Sequence, residues 1–157
     1  MFLYIIILLL FICFLQDVKY RAIHWLLFPS LLVCILSFKY NSIDLKNIFT
    51  NNLFLIFMMT SLTLYLTLKF KKLILITNGF FSAGDILFLV VITPLFTFSE
   101  FVSFFTLGTI ITLLIHLISL LIKKQKTVPY AGYMSLITAF FLLFQNSLQP
   151  ILILPWG

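Results

Sequence analysis

Residues 101–122 have the sequence FVSFFTLGTIITLLIHLISLLI, 22 residues without an Asp, Glu, Lys or Arg. A helix needs about 20 predominantly apolar residues to cross the hydrocarbon core of a bilayer, and this stretch is long enough. It therefore predicts a transmembrane helix. A chain with such a helix folds in lipid, so its other apolar stretches are candidates for the same role.

The whole chain has the composition of a membrane protein. Of its 157 residues, 63% are hydrophobic and 9% are charged, and the mean hydropathy is +1.23. Soluble domains are about half apolar and a quarter charged, which excludes that class here. At about 20 residues per span, little more than six spans fit, so no separate soluble domain remains. We therefore expect one membrane-embedded domain over residues 1–157.

Apolar stretches between charges and turn residues predict an all-α fold, a bundle of about six transmembrane helices. The predicted helices are 1–16, 23–38, 50–68, 85–98, 101–122 and 128–145. Pro129 suits the first turn of the sixth helix. The tail 146–157 contains two prolines and a tryptophan, which is typical of an interfacial segment.

The basic residues indicate how the helices cross the membrane. Eight of the ten lie in the first, third and fifth loops: Lys19, Arg21, Lys69, Lys71, Lys72, Lys123, Lys124 and Lys126. The second loop carries only Lys39 and Lys46. Because cytoplasmic loops carry the excess of Lys and Arg, the odd loops are predicted to be cytoplasmic and both termini extracytoplasmic. The net charge of +6 then reflects orientation in the bilayer, and no nucleic-acid partner is expected.

The chain has four acidic residues, Asp17, Asp44, Asp85 and Glu100. We expect Asp44 and Glu100 in the outer loops as solvated surface charge. Asp17 and Asp85 differ, because counting about 20 residues along each span places both inside the hydrocarbon boundary. They lie on different helices, at similar shallow depth and on the same side of the membrane. Acids within a membrane are candidates for function by default.

Two such carboxylates suit aspartic proteolysis. Carboxylates that approach closely share one proton and titrate as a coupled pair. The ionised partner takes a proton from water, which attacks the scissile carbonyl while the protonated partner polarises that carbonyl. A structural interpretation stays open: each Asp pairs with a nearby basic residue, or Asp85 caps the helix that it begins.

Three short segments carry a family resemblance. Residues 81–87 are FSAGDIL, residues 16–25 are QDVKYRAIHW, and residues 123–132 are KKQKTVPYAG. The first resembles the GxGD motif of the prepilin peptidases (type IV leader peptidases), which are membrane aspartyl proteases. The second is similar to that family's first Asp motif, and the third resembles the basic stretch and Pro-Phe-Gly-like start of its last core helix. Their order and spacing suit a six-helix core over nearly the whole chain.

The resemblance implies an aspartic endopeptidase with Asp17 and Asp85 as its catalytic residues. The small residues before the second acid, Ser82, Ala83 and Gly84, would let a substrate backbone approach closely. The implied substrate is a prepilin-like protein with a short basic leader and a hydrophobic N-terminal helix. The implied place is the cytoplasmic face of the inner membrane of a prokaryote, in a multi-pass protein without metal or cofactor. Product N-methylation is not expected, because nothing matches the tetracysteine segment of the longer members.

The chain departs from the family pattern in two places. Ser82 stands at the first Gly of GxGD, and His24-Trp25 stand at a Pro-Asn pair. An inactive peptidase homologue therefore stays open. So does a different class, a small proton-coupled transporter or a membrane scaffold that uses the acids as a proton relay or as ion pairs. The separation of the two carboxylates discriminates between proteolysis and these other classes, because acids on opposite faces of the bundle cannot share a water.

Overall fold

The computed structural model describes residues 2–71, 82–122 and 128–144. The α-helices within these ranges are α1 Phe2–Tyr20, α2 Leu27–Phe38, α3 Leu45–Phe70, α4 Ala83–Ile92, α5 Phe98–Ile122 and α6 Tyr130–Leu143. Two 3₁₀ helices, Tyr40–Ser42 and Thr93–Leu95, follow α2 and α4, and the described ranges contain no strand. The predicted all-α fold with six helices is confirmed for these ranges. The tail 146–157 and four basic loop residues lie outside them: Lys72, Lys123, Lys124 and Lys126.

Three of these helices are long and apolar enough to cross a membrane: α1, α3 and the part Phe98–Ser119 of α5. The others, α2, α4 and α6, contain 12, 10 and 14 residues. A helix of 14 residues covers about 21 Å of a hydrocarbon core about 30 Å thick. Helix length in the described ranges therefore supports three of the six expected spans, and with them a membrane protein.

The first loop lies four residues later than predicted, over residues 21–26. α1 continues to Tyr20, so Asp17 lies in its last turn and not beyond its end. Arg21 ends the helix with a left-handed φ of 56°. The chain then turns back, because the backbone N–H of His24 donates to Gln16 Oε1 at 2.9 Å. As a result α2 begins only at Leu27, four residues later than predicted.

The two outer acids lie at the surface, with Asp44 exposed and Glu100 half-buried, and they also cap helices, which the sequence pattern did not predict. α3 begins at Leu45 because Asp44 is its N-cap, accepting from the Lys46 N–H at 2.9 Å. Glu100 lies within the first turn of α5, and its Oε2 accepts from the Thr97 N–H at 3.0 Å. Such capping satisfies N–H groups that have no partner inside the helix.

The fourth helix ends at Ile92, six residues before the predicted end. Pro94 cannot donate a backbone hydrogen bond, which stops the helix. Asn51 of α3 is fully buried and donates through Nδ2 to the carbonyls of Thr93 and Phe96, at 3.1 and 3.0 Å. Carbonyls at a helix end need such partners, so a side chain of α3 completes the end of α4.

The packing of α1 against α6 and α2 positions the candidate site. α4 packs against α2 and α6, and α5 packs against α6 and α3. The core side chains that join these helices are large and apolar: Ile6, Leu10, Leu31, Ile35, Phe88 and Met134. This arrangement brings the end of α1 and the beginnings of α4 and α6 to one end of the bundle.

Candidate active site

Asp17 and Asp85 meet at the first turn of α6. The N–H of Ala131 donates to Asp85 Oδ1 at 2.9 Å, and the N–H of Gly132 donates to Asp17 Oδ2 at 2.6 Å. Successive amide nitrogens in a helix are about 3 Å apart, so the two accepting oxygens lie within roughly 8 Å of each other. Both side chains are buried, with exposed fractions of 7% for Asp17 and 6% for Asp85.

The first turn of α6 can hold both carboxylates because its N–H groups have no partner inside the helix. Pro129 is the N-cap residue, so Ala131 and Gly132 occupy the second and third helical positions. The partial positive charge of a helix N-terminus also favours anions at this place. The sixth helix therefore begins two residues later than predicted, and Pro129 precedes its first turn instead of lying within it.

Gly132 leaves room for the close contact with Asp17. A Cβ at position 132 would lie 3.0 Å from both Cβ and Oδ2 of Asp17. That is closer than carbon atoms normally approach, and the carboxylate would have to move. The missing side chain therefore permits the close hydrogen bond between α6 and α1.

Asp85 also closes the N-terminus of its own helix. Ser82 is the N-cap of α4, its Oγ accepts from the Asp85 N–H at 3.2 Å, and Asp85 Oδ2 accepts from the Ser82 N–H at 2.7 Å. This reciprocal pair is a capping box. The capping role left open for Asp85 is thus present, and both carboxylate oxygens accept from backbone N–H groups. Ser82 has φ −77° and ψ 156°, an extended backbone that does not require glycine.

A cavity of about 250 Å³ opens beside Asp17. It is lined by the last turn of α1, by three residues of the first loop and by the start of α4: Asp17, Arg21, Ala22, Ile23, Ser82 and Gly84. A Cβ on Gly84 would make only ordinary contacts, 3.5 Å to Ser82 Oγ and 3.8 Å to Phe28 Cζ. Of the three small residues predicted to let a substrate approach, Ser82 and Gly84 line this cavity. Ala83 is exposed but does not line it.

The sequence did not single out the donors of α6 as part of the site. Ala131 and Gly132 act through backbone N–H groups, which every residue other than proline carries, so residue type alone cannot reveal them. The available signal was Pro129 at a helix start with a glycine three residues later. Ala22 and Ile23 were also missed, because they reach the cavity only through the turn after α1.

Within the described ranges no group of three or more His, Cys, Asp and Glu side chains is placed to hold a metal ion. The chemistry available at this site is that of two buried carboxylates, backbone donors and a small cavity. Comparison with models of protein families, with curated proteins and with solved structures finds no match to the chain.

Proposed function

We propose that this protein is a membrane aspartic endopeptidase of the prepilin-peptidase type, with Asp17 and Asp85 as its catalytic pair. The observation that carries the proposal is the pair of hydrogen bonds from successive amides, Ala131 and Gly132, to the two carboxylates. Two acids from distant parts of the chain and from different helices are thereby held at one helix turn, beside a cavity.

The two acids divide the work of hydrolysis. The carboxylate that is ionised takes a proton from water, the oxygen of that water attacks the scissile carbonyl carbon, and the protonated acid donates its proton to the carbonyl oxygen. The tetrahedral intermediate then collapses: the C–N bond breaks, the leaving amine takes the proton that came from water, and the carbonyl oxygen returns its proton to the second carboxylate. Asp17 lines the cavity, and its Oδ1 has no hydrogen bond to a described residue. This oxygen is therefore available to a water or to the substrate.

The proposed substrate is a prepilin-like protein with a short leader ahead of a hydrophobic helix. That helix enters from the bilayer beside the bundle, and the leader junction reaches the acids near the cytoplasmic face. The odd loops are cytoplasmic in this scheme and six segments cross or enter the inner membrane of a prokaryote. Because the cytoplasmic loops are basic, they repel a basic leader, so packing of the hydrophobic helix supplies most of the binding.

Cleavage of a synthetic prepilin-like peptide by the purified protein in detergent tests the proposal. Wild-type protein is expected to release the leader, and Asp17→Asn or Asp85→Asn is expected to abolish release while the protein still elutes as a folded species. Asp44→Asn is the matched control, because Asp44 caps α3 outside this site. Cleavage that survives either substitution in the pair rules this mechanism out.

One observation favours a second candidate, a non-proteolytic membrane scaffold. The carboxylates of Asp17 and Asp85 accept hydrogen bonds from backbone N–H groups of described residues and from no described side chain. These bonds also hold α1, α4 and α6 together. A scaffold predicts no cleavage by the wild-type protein. It also predicts that Asp→Asn at either position weakens the bundle against heat, whereas Asp44→Asn leaves the contacts of α6 intact.

A further inference from the structure

A larger cavity, about 760 Å³, lies between α3 and the start of α5. Its α3 wall includes Lys46, Thr50, Leu53, Phe57 and Thr60. These residues are separated alternately by four and three positions, so they form one stripe along a single helix face. Over 14 residues the stripe extends about 21 Å at 1.5 Å per residue. We call this elongated cavity the α3 groove.

The floor of the α3 groove is aromatic and well supported. Phe54 packs edge-on against three rings of α5, with centroid distances of 6.2 Å to Phe98, 6.3 Å to Phe101 and 5.9 Å to Phe105. The walls remain uncovered by described residues, since Leu53 is 54% and Phe57 is 66% exposed. In a chain that lies in lipid, an exposed apolar surface of this kind contacts acyl chains.

One end of the α3 groove carries a cation. Lys46 is exposed and makes no ion pair with a described residue. The nearest acid in sequence, Asp44, accepts from the Lys46 backbone N–H and from Asn47 Nδ2, so its oxygens are already engaged. The Thr50 hydroxyl donates to carbonyls of its own helix. The Lys46 ammonium is thus the polar group that remains for a ligand.

The position of Lys46 matches the level of lipid headgroups. α3 contains 26 residues. A helix of that length is about 39 Å long, which exceeds a hydrocarbon core of about 30 Å. Its first turn therefore extends into the interface, where phosphate groups lie, while Leu53 and Phe57 lie within the hydrocarbon.

We propose that the α3 groove binds one anionic phospholipid, with its phosphate at Lys46 and an acyl chain along the stripe toward Thr60. A single cation followed by an apolar stripe is complementary to a molecule with one anionic head and a long apolar tail. The volume lies within the range of about 300–1,000 Å³ that is common for ligand sites. A second copy of this chain fits less well, because two-fold symmetry in a membrane would bring two Lys46 side chains to the same level.

Native mass spectrometry of the detergent-purified protein tests this site with phosphatidylglycerol and phosphatidylcholine of identical chains. We expect one phosphatidylglycerol per chain, bound about five-fold more tightly than phosphatidylcholine, because one lysine near a membrane surface contributes on that order. Lys46→Gln is expected to remove the preference. Lys69→Gln, near the other end of α3 and stacked over Tyr65 and Phe70, is the control and keeps it.

A second variant tests the apolar part. Leu53→Trp, at an exposed position, fills the groove and is expected to weaken both lipids without unfolding α3. Equal binding of the two lipids by the wild-type protein, or an unchanged preference in Lys46→Gln, overturns the proposal. So does glycerol phosphate without acyl chains binding as tightly as the intact lipid, or a dimer whose interface buries Phe57 and excludes lipid.

Discussion

At the scale of single residues, position 132 determines how closely Asp17 can approach α6. The Gly132 N–H donates to Asp17 Oδ2 at 2.6 Å, and the methyl group of an alanine at position 132 would press against the Asp17 side chain. The chemistry proposed for Asp17 therefore depends on a residue that has no side chain. Position 84 differs, because a Cβ there meets only ordinary contacts.

Gly132→Ala is expected to lower the kcat of peptide cleavage several-fold, because the added Cβ forces Asp17 to move by a few tenths of an ångström, and a displacement of about 1 Å in a catalytic group costs about 10²-fold. Steady-state kinetics with the prepilin-like peptide measure it. Thr106→Ala is the control, because the exposed Thr106 hydroxyl donates only to carbonyls of α5. An unchanged kcat in Gly132→Ala would mean that the position of Asp17 does not matter for catalysis.

Two substitutions at Ser82 measure how much the helix cap contributes to stability, and one of them introduces the glycine that the GxGD motif has at this place. Ser82→Ala removes the hydroxyl that accepts from Asp85 N–H and should destabilise the protein by about 1 kcal/mol, whereas Ser82→Gly should cost only a few tenths. Thermal unfolding in detergent measures both, with a thiol-reactive dye reporting exposure of the buried Cys13. Coincident midpoints for the wild type and Ser82→Ala would show that the cap contributes nothing.

At the scale of elements, a side chain of α3 completes the end of α4 that Pro94 imposes. Asn51 is buried and donates to Thr93 O and Phe96 O, across 42 and 45 positions of sequence. A buried amide so far along the chain from its partners cannot be inferred from local pattern. The predicted helix 85–98 was too long for a local reason, because the apolar pattern was continued through Pro94.

Replacing Asn51 by Leu is expected to destabilise the bundle by on the order of 2 kcal/mol, because two buried carbonyls lose their donor. The thiol-exposure melt described above measures it, with Thr106→Ala again as the control. Unfolding midpoints that coincide for wild type and Asn51→Leu would contradict this role of α3 in closing α4.

Residue type revealed the acids of the site but not the groups that hold them. Asp17 and Asp85 were identifiable because an ionisable side chain is rare and costly within an apolar stretch. The Ala131 and Gly132 donors and the turn after α1 depend on backbone geometry, which apolar periodicity does not encode. The helix starts at Leu45 and Phe98 were missed similarly, since Asp44 and Glu100 resemble surface charge until their capping contacts are seen.

At the scale of the whole molecule, α1 is central, packed between α6 and α2, and its last turn delivers Asp17 to the site. The basic residues of the odd loops predict that this end of the bundle faces the cytoplasm. The α3 groove, with Lys46 at the opposite end of a long helix from Lys69, then opens toward the other leaflet. The two proposed sites would then lie at opposite faces of one bilayer.

Cysteine labelling in spheroplasts tests this orientation. In a background with Cys13→Ala and Cys34→Ala, Ser42→Cys in the second loop is expected to react with a membrane-impermeant maleimide. Ala22→Cys in the first loop is expected to react only after the membrane is opened. Labelling of the first-loop cysteine from outside, with protection of the second, would reverse the orientation.

The pairing of Asp17 and Asp85 at the first turn of α6 underlies the proposed chemistry, and selective isotope labelling measures it directly. The chain has five glycines and four alanines, so ¹⁵N-glycine and ¹⁵N-alanine spectra are simple. Asp17→Asn is predicted to shift the Gly132 amide signal more than that of any other glycine, and Asp85→Asn to shift Ala131 most among the alanines, while Asp44→Asn leaves both in place. Gly132 and Ala131 signals that do not respond to either substitution would contradict the arrangement of the two carboxylates described here.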